Sequence, residues 1–345
     1  MSVLSCPHVD PIAAATCTTC PICGQSDPAL WLRTPDRFHR RQTIYNLLRC
    51  RNCGLGWVEN APQPNEMAAH YGLHYHDAIE EGGDTDLMHR WKAPLETLRR
   101  LNTSGALLDI GCSSGAFLRA VKDQNWDLYG IDIDPEMAQR ATIRTGAQIF
   151  VGDALAAPFA PQTFDVVTGF HVLEHQYQPL GLMFKVWEWL KPGGFFYLTV
   201  PNIDAWEARI FRSYWYALEA PRHLYHYSCA SVRRMAQLAD FQVVGLRTHT
   251  DCYVEPSSKY MLDEVRRRLG LVSVPLAEVP APRLAWKIIR KGIRMTVLSG
   301  FRYLAAATGN GASISLLLKK PGTPGGLCCR RNALTSGSSA TQTGA

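Results

Sequence analysis

Carboxylate side chains stand at the ends of three short apolar runs, where they could hold a small molecule. Asp109 follows ALL, Asp132 follows LYGI, and Asp153 follows IFVG. If these runs are parallel strands, their carboxyl ends meet at one edge of a sheet, where open α/β sheets bind ligands. Asp132 could then accept both hydroxyls of a ribose, and Asp153 could accept the amino group of an adenine. Three unrelated helix caps and turns are the alternative explanation.

Two glycines follow the first apolar run, in the segment Asp109-Ile-Gly111-Cys-Ser-Ser-Gly115. Gly111 allows a sharp backbone turn and the approach of a ligand without a Cβ in its way. Gly115 permits close packing where a helix starts. The D-x-G-x-x-x-G spacing differs from the G-x-G-x-x-G spacing of dinucleotide sites, so it disfavours a pyrophosphate ligand.

Four cysteines form two C-x-x-C-G pairs, Cys20/Cys23 and Cys50/Cys53, separated by 26 residues. Each pair turns so that both thiolates face one point, and two pairs supply the four sulfur ligands of a tetrahedral zinc ion. Two redox-active cysteine pairs are the alternative. Because a closed site with four cysteine ligands leaves no open position for catalysis, we assign the predicted zinc to folding and docking.

Histidines in two segments are the candidates for proton transfer. His171 and His175 flank Glu174 in GFHVLEH, and His223 lies in PRHLYHYS. A neutral imidazole can remove a proton near pH 7. Alternatively, these side chains hold their loops in place by hydrogen bonds. Glu and His are also metal ligands, although this spacing does not require a metal.

The elements that would position these side chains follow from apolar runs that alternate with helical periodicity. This alternation is typical of a parallel sheet covered by helices. The predicted strands are 106–110, 127–132, 148–152, 164–169, 195–200, 241–248 and 313–318. The predicted helices are 115–124, 135–145, 179–190 and 229–239. Asp134-Pro135 supplies a cap and a first-turn proline for the second helix, and residues 191–194 (KPGG) would end the third.

Length and charge add further constraints. The chain has 345 residues, of which residues 1–255 carry 22 basic against 27 acidic side chains and residues 256–345 carry 14 against 3. The basic part suggests an anionic partner, with a solvated basic surface as the alternative. No run of eighteen apolar residues and no signal peptide are evident, so we expect a cytoplasmic protein with reduced thiols.

Composition divides the chain into four zones. Residues 17–60 form a predicted zinc-ribbon-like module with the four cysteines, 61–104 a connecting segment with a leading helix, 105–320 an α/β domain, and 321–345 a disordered tail. Within the domain, residues 256–310 form a basic helical insertion before the last strand. A basic amphipathic helix in this insertion could contact a membrane peripherally, or it could simply pack on the domain.

The ordered motifs of residues 105–250 resemble those of class I S-adenosylmethionine-dependent methyltransferases, and in particular small-molecule O-methyltransferases such as the ubiquinone-pathway enzymes. The matching segments are LLDIGCSSG, YGIDIDPEM, VGDA, FDVVTGFHVLEH and WLKPGGFFYLTVPN. The resemblance implies S-adenosylmethionine as the cofactor. It also implies a Rossmann-like sheet of seven strands, in which the last strand, 313–318, is antiparallel.

The resemblance further implies roles for the residues that would surround the cofactor. Those expected around its methionine part are Asp109, Gly111 and Gly115. Those expected around its ribose and adenine are Asp132, Asp153 and Ala154. Phe170 and His171 would line the wall beside it. Related enzymes often carry a histidine in a segment like RHLYHYS that covers the acceptor pocket, which makes His223 the first candidate for general base, followed by His175 and His171.

Methyl transfer is an in-line displacement, in which the protein mainly aligns the acceptor and excludes water. Many methylases of base amino groups carry an N/D-P-P-Y/F tetrapeptide after the fourth strand, and this chain does not. Oxygen is therefore the favoured acceptor atom, with carbon as a second option. The expected reaction methylates a hydroxyl of a small molecule, such as a saccharide, polyketide or quinone-type intermediate.

The sequence leaves two alternatives to a small-molecule enzyme open. The first is an RNA base methyltransferase that docks its RNA on the four-cysteine module, whose arginines could grip phosphates: Arg33, Arg37, Arg40, Arg41, Arg49 and Arg51. We regard nucleic acid as the less favoured partner. The second is a non-enzymatic scaffold that binds the cofactor at a membrane or in a complex. The sequence does not indicate the oligomeric state.

Overall fold

The structure, a computed structural model, describes residues 19–71, 84–101, 103–250, 253–270 and 304–322, with the backbone alone over 84–90. Most of the predicted basic amphipathic helix and nearly all of the predicted tail lie outside the described residues.

Strands and short helices alternate along the described part of the chain. The strands are β1 (Ala29–Pro35), β2 (Ile44–Arg49), β3 (Gly56–Val58), β4 (Gly105–Ile110), β5 (Trp126–Asp132), β6 (Gln148–Val151), β7 (Phe164–Phe170), β8 (Leu190–Pro201), β9 (Tyr225–His226), β10 (Gln242–His249) and β11 (Ser313–Lys319). The α-helices are α1 (Pro64–Met67), α2 (Asp84–Leu101), α3 (Ala116–Val121), α4 (Pro135–Thr145), α5 (Pro179–Trp189), α6 (Trp206–Phe211), α7 (Cys229–Leu238) and α8 (Val254–Arg268).

Seven of these strands form one sheet in the order β10-β11-β8-β7-β4-β5-β6. The pairs β4/β5, β4/β7, β5/β6 and β7/β8 are parallel, whereas β11 runs antiparallel to both of its neighbours. The predicted α/β fold with seven strands and an antiparallel last strand is therefore confirmed. From β4 the chain continues to β5 and β6 on one side and then crosses to β7 on the other side of β4. The strand order therefore reverses next to β4, and a crevice opens there at the carboxyl ends of the strands.

Local sequence accounts for most element boundaries. The side chain of Asp134 accepts hydrogen bonds from the backbone N–H groups of Glu136 and Met137, which starts α4 where a cap was expected. Strand β8 begins at Leu190 rather than near Phe195, because Leu190 already pairs with Phe164 before a register shift. The helix ends at Trp189, directly before β8, and the KPGG segment, which was expected to end this helix, lies within β8. The pairing of β8 with β7 is irregular over this segment.

A second sheet, called here the N-terminal sheet, joins the N-terminal region (residues 19–71) to the α/β domain. Its order is β1-β2-β3-β9, and β9 comes from the segment between α6 and α7. Buried Cys20 and Cys50 belong to the same apolar cluster as Leu108 of β4 and Tyr227. The four-cysteine module and the seven-stranded sheet thus share a core. The boundary predicted at residue 60 stays a prediction.

Among the described residues, no helix is long and apolar enough to span a bilayer. Helix α8 overlaps the start of the segment predicted as a basic insertion and ends with Arg266, Arg267 and Arg268.

Candidate active site

A cleft of about 2390 Å³ opens at the carboxyl edge of the seven-stranded sheet. Asp109, Asp132 and Asp153 all line it, within two residues of the ends of β4, β5 and β6. The structure therefore brings together the three carboxylates that the sequence singled out. The cleft continues past β7 to His171, His175 and His223, so it has room for a cofactor and for an acceptor beside it.

The turn between β4 and α3 depends on its glycines. Gly111 has φ of +66°, a left-handed conformation, and a Cβ at this position would lie 2.5 Å from Cγ2 of Val172. Gly115 caps α3 with φ of +79°, and a Cβ there would lie 3.0 Å from Cα of Ala141 in α4. Gly111 thus shapes the turn that lines the cleft. Glycine is needed at position 115 for a different reason, because α4 packs closely against it.

Asp132 holds the turn against the start of α4. Its Oδ2 accepts a hydrogen bond from the backbone N–H of Ser113 at 2.7 Å, and its Oδ1 accepts one from that of Asp134 at 2.9 Å. The side chain is almost fully buried. A carboxylate has about four acceptor positions, so these backbone donors are compatible with further hydrogen bonds from ribose hydroxyls.

Asp109 lies deeper than Asp132. It is buried, and Oδ1 accepts a hydrogen bond from the hydroxyl of Thr168 at 2.7 Å. Burial raises the pKa of Asp109 to about 7, with the charge of Asp132 adding to the rise and the Thr168 hydrogen bond opposing it. A cationic ligand at this end of the cleft would favour the ionised form of Asp109.

The third carboxylate is exposed. Oδ1 of Asp153 accepts a hydrogen bond from the backbone N–H of Leu155 at 2.9 Å, which caps a short 3-10 helix at Ala154–Ala156. Ala154 itself is buried at the cleft wall. Asp153 therefore caps this short helix, and its side chain lies exposed in the cleft lining.

An aromatic wall stands at the end of β7. The ring centroid of Phe170 lies 4.6 Å from that of Phe117 and 4.8 Å from that of Trp91, in α2. All three side chains line the cleft. Trp91 was not singled out from the sequence, because nothing in its neighbourhood indicates that α2 packs against Phe170 at the edge of the cleft.

His171 and Glu174 form a pair next to this wall. Nδ1 of His171 donates to Oε1 of Glu174 at 3.1 Å, and the Glu174 side chain is fully buried while that of His171 is 36% exposed. Burial alone would raise the pKa of Glu174, but the hydrogen bond and charge of His171, with the charges of His223 and His175, lower it to about 2. Glu174 is therefore an anion that fixes the Nδ1–H tautomer of His171.

His175 and His223 lie against each other behind this pair, with ring centroids 4.6 Å apart. Nδ1 of His175 donates to the carbonyl of Arg222 at 3.1 Å and also contacts the hydroxyl of Tyr71, and Nδ1 of His223 donates to the carbonyl of Ala217 at 2.8 Å. Burial, followed by the charge of His223, lowers the pKa of His175 to about 4. His175 is therefore neutral, and a weak base, near pH 7.

The loop that carries His223 contains charged residues that sequence reasoning missed. Arg222 is fully buried, and its Nε donates to Oε2 of Glu219 at 3.4 Å. Glu219 lines the cleft, and its Oε2 lies 3.8 Å from Nε2 of His223. The pair of neighbouring basic residues in PRH was the only signal in the sequence, and it does not reveal that Arg222 points inward.

The four cysteines of the two C-x-x-C-G pairs converge. Sγ of Cys20 lies 3.6 Å from that of Cys53, and Sγ of Cys23 lies 3.5 Å from that of Cys50. Four sulfurs around one zinc at about 2.3 Å stand about 3.8 Å from each other, so the donor set and spacing fit this ion. The backbone N–H of Cys53 also donates to Sγ of Cys50 at 3.4 Å, as expected for a thiolate that ligates a cation.

Proteins of known type match the cleft-forming part of the chain. Residues 84–246 match the family model described as a methyltransferase domain. A ubiquinone biosynthesis O-methyltransferase of Paraburkholderia xenovorans is 28% identical over 190 residues, covering 48% of this chain and 81% of the relative. One of Aliivibrio fischeri is 29% identical over 124 residues, covering 34% of this chain and 50% of the relative.

Among solved structures, a SAM-dependent methyltransferase from Archaeoglobus fulgidus aligns with a TM-score of 0.49 at 17% identity, covering 71% of this chain and all of that one. The family match, the curated relatives and the seven-stranded topology agree with the motifs of the sequence. The chain therefore contains a class I S-adenosylmethionine-dependent methyltransferase domain.

Proposed function

We propose that this methyltransferase acts on a hydroxyl of a small molecule and that His171, oriented by Glu174, takes the hydroxyl proton. The observation that carries the proposal is the hydrogen bond from Nδ1 of His171 to the buried anion of Glu174. It leaves Nε2 of His171 as the basic nitrogen. A carboxylate that orients an imidazole and stabilises its protonated form is a common arrangement for general bases.

The residues of the cleft would have separate roles in cofactor binding and in the exclusion of water. S-adenosylmethionine, when bound, supplies a methyl group already activated by a sulfonium charge. Asp132 and Asp109 would bind its ribose and its methionine part, and Asp153 with Ala154 would hold the adenine. Phe170 and Trp91, whose rings are in contact, would exclude water from the place where the acceptor meets the methyl group. Gly111 keeps the turn open to this ligand.

His223 and His175 border the acceptor side without being equivalent to His171. His175 has the lowered pKa and hydrogen-bonds to a loop carbonyl, which suits a structural role. The partner of Nδ1 of His223 is a neutral carbonyl rather than a carboxylate. We therefore place His171 before His223 as the base, although the sequence alone ranked His223 first. His223 would contact the acceptor from the opposite loop.

A quinone-type or catechol-type acceptor is the first substrate class to test. Two curated relatives are named ubiquinone biosynthesis O-methyltransferase, at 28% and 29% identity. Aromatic side chains around the acceptor side, including Phe170, Tyr197 and Tyr216, suit a planar ring. Saccharide and polyketide hydroxyls stay as further candidates.

The geometry disfavours RNA docking on the four-cysteine module. Four of the six arginines that could have gripped phosphates are engaged within the protein, among them Arg40, whose Nη2 lies 4.0 Å from Oδ2 of Asp263. Arg37 donates to the carbonyl of Ser213, Arg41 to that of Ala69, and Arg49 pairs with Asp204. The module packs on its own catalytic domain instead. In our proposal the four cysteines hold a structural zinc that supports this packing and takes no part in the reaction.

The experiment that tests the proposed function uses methyl-labelled S-adenosylmethionine. The purified protein is incubated with a panel of catechols and quinols, and in parallel with small-molecule and RNA fractions of a cell extract. We expect label in a small-molecule hydroxyl, and loss of at least about a hundredfold in rate for His171→Asn with unchanged cofactor affinity. Label in RNA, or a His171→Asn protein as active as the wild type, would overturn the proposal.

A further inference from the structure

We propose that Asp36, in the N-terminal region of the molecule, is a positioning residue for His223 and acts on it through Arg222 and Glu219. The inference goes beyond the proposed function, because it assigns the N-terminal region a part in shaping the acceptor side of the cleft. It relies on that proposal only for the statement that His223 borders the acceptor.

Arg222 is the central member of this series of contacts. Its side chain has no solvent exposure, and a buried cation is costly unless it is paired. Nη1 donates to the carbonyl of His70 at 3.1 Å and lies 3.7 Å from Oδ1 of Asp36. The guanidinium also lies over the ring of Phe38, 4.4 Å from its centroid. All three of these contacts come from segments N-terminal to the methyltransferase domain.

Asp36 is held rigidly where it meets Arg222. It follows directly after β1, and its side chain is fully buried. Oδ1 accepts a hydrogen bond from the backbone N–H of His39 at 3.0 Å, and Oδ2 accepts one from Nδ1 of His70 at 3.3 Å. The position of this carboxylate is therefore set by the N-terminal sheet and by the segment that leads to Tyr71.

Glu219 connects Arg222 to His223 in the cleft. Its Oε2 lies between Nε of Arg222, at 3.4 Å, and Nε2 of His223, at 3.8 Å. Arg222 is thus placed between two carboxylates, Asp36 on the N-terminal side and Glu219 on the cleft side. If Asp36 loses its charge, Glu219 must compensate more of the Arg222 charge, and it moves away from His223.

The backbone also connects the loop of His223 to the N-terminal sheet. Strand β9, which contains His226, pairs with β3 of the N-terminal sheet, and His223 lies only two residues before β9. The titratable groups that face His223 are Glu219 on its own loop, Glu174 and His175 from the segment after β7, and His226. A shift of Glu219 therefore changes the surroundings of His223 on one side only.

The test reads the state of His223 directly, without an acceptor. The zinc-loaded full-length protein is labelled with 15N-histidine, and long-range proton–nitrogen spectra are recorded, with His223 assigned by His223→Gln. In the wild type we expect a protonated Nδ1 for His223, because this nitrogen donates to the carbonyl of Ala217. In Asp36→Asn we expect the His223 resonances to shift while zinc content and S-adenosylmethionine affinity stay within about twofold of the wild type.

A matched control removes another contact between the same two regions. The hydroxyl of buried Thr34 donates to the carbonyl of Ser213 at 3.1 Å, and Thr34→Val keeps the size of the side chain. This variant should leave the His223 resonances unchanged. Glu219→Gln should shift them, and Asp36→Asn combined with Glu219→Gln should shift them no further than Glu219→Gln alone, because both changes act on one series of contacts.

Unchanged His223 resonances in a folded Asp36→Asn protein would overturn the proposal, as would equal shifts in Thr34→Val. If Asp36→Asn does not fold, His70→Phe decides, since it removes the donor to Asp36 but keeps the backbone carbonyl that Arg222 binds. An unshifted His223 in that variant also rejects the proposal. Failure of the proposed reaction would not alter these spectra, so the two proposals are judged separately.

Discussion

His171 donates Nδ1–H to a Glu174 side chain that has no solvent exposure, across 3.1 Å, at the point where β7 ends in the cleft. His171 itself has φ of +57°, an uncommon conformation for a residue other than glycine. The loop thus holds an imidazole in a fixed tautomer, with its exposed edge beside the aromatic wall. Removing the Glu174 charge should therefore impair the reaction without disturbing the cofactor.

Glu174→Gln should slow methyl transfer by about a hundredfold or more, because the amide can no longer hold and stabilise the protonated imidazole. Cofactor affinity should stay within about threefold. Single-turnover rates and calorimetry measure the two quantities. Glu188→Gln, which removes a partly exposed carboxylate paired with Lys185, is the control and should leave both unchanged. A fast Glu174→Gln enzyme would show that His171 needs no carboxylate.

Asp132→Asn should weaken S-adenosylmethionine binding by about a hundredfold or more, because it replaces a charged acceptor for the ribose hydroxyls. Zinc content should not change. Asp127→Asn, an exposed position on the same strand β5, serves as the control and should bind the cofactor normally. Wild-type affinity in Asp132→Asn by titration calorimetry would mean that the ribose binds elsewhere.

Cofactor affinity should rise as the pH increases from about 6 to about 8. Burial raises the pKa of Asp109 to about 7, so at pH 6 it is mostly protonated, and it must ionise to pair with the cationic cofactor. Calorimetry in buffers of different ionisation enthalpy should detect a released proton at pH 6. Asp109→Asn should lose this pH dependence, and any slope that it retains belongs to the cofactor's own titration. Identical slopes in both proteins would contradict the assignment.

The raised pKa of Asp109 should also make the free energy of unfolding depend on pH. Because the folded chain keeps a proton on Asp109 between about pH 4 and pH 7 that the unfolded chain has lost, folding is favoured at low pH by this group, and its contribution declines as the pH rises towards 7. In Asp109→Asn the free energy of unfolding should therefore fall less between pH 5 and pH 8. Denaturant titrations at the two pH values measure the difference. A decline as large as that of the wild type would count against a raised pKa.

Cys50→Ser should lower bound zinc from about one equivalent to nearly none. Since Cys50 lies in the same apolar core as the seven-stranded sheet, the melting temperature of the whole domain should fall, by about 5 °C or more. Cys229→Ser, at a half-buried thiol outside the four-cysteine module, is the control. Elemental analysis and calorimetric melting are the measurements. Full zinc content in Cys50→Ser would remove this residue from the ligand set.

The seven-stranded sheet could be predicted well because each strand is specified locally. Strands β4, β5 and β7 begin within one residue of the expected positions, and α4 starts at Pro135 as its cap required. The cleft carboxylates could be predicted for the same reason, since Asp109, Asp132 and Asp153 each end a local pattern. The cysteine pairs likewise carry their geometry in their own spacing.

The remaining features depend on contacts between distant segments. Asp36 and Arg222 are 186 positions apart in the chain, and neither stands in a pattern that predicts the other. Strand β9 has two residues, too few for any periodicity to show, and yet it joins the α/β domain to the N-terminal sheet. The order of preference among His171, His175 and His223 also changed, because it depends on which hydrogen-bond partner each Nδ1 meets after folding.

The decisive measurement is a crystal structure of the protein with S-adenosylhomocysteine, the product that remains after methyl transfer. We predict ribose hydroxyls within hydrogen-bond distance of Asp132 and a sulfur atom turned toward the space between Phe170 and His171. A nucleoside bound outside this cleft, or a ribose held by other residues while Asp132 faces only the backbone, would refute the assignment of the cofactor site.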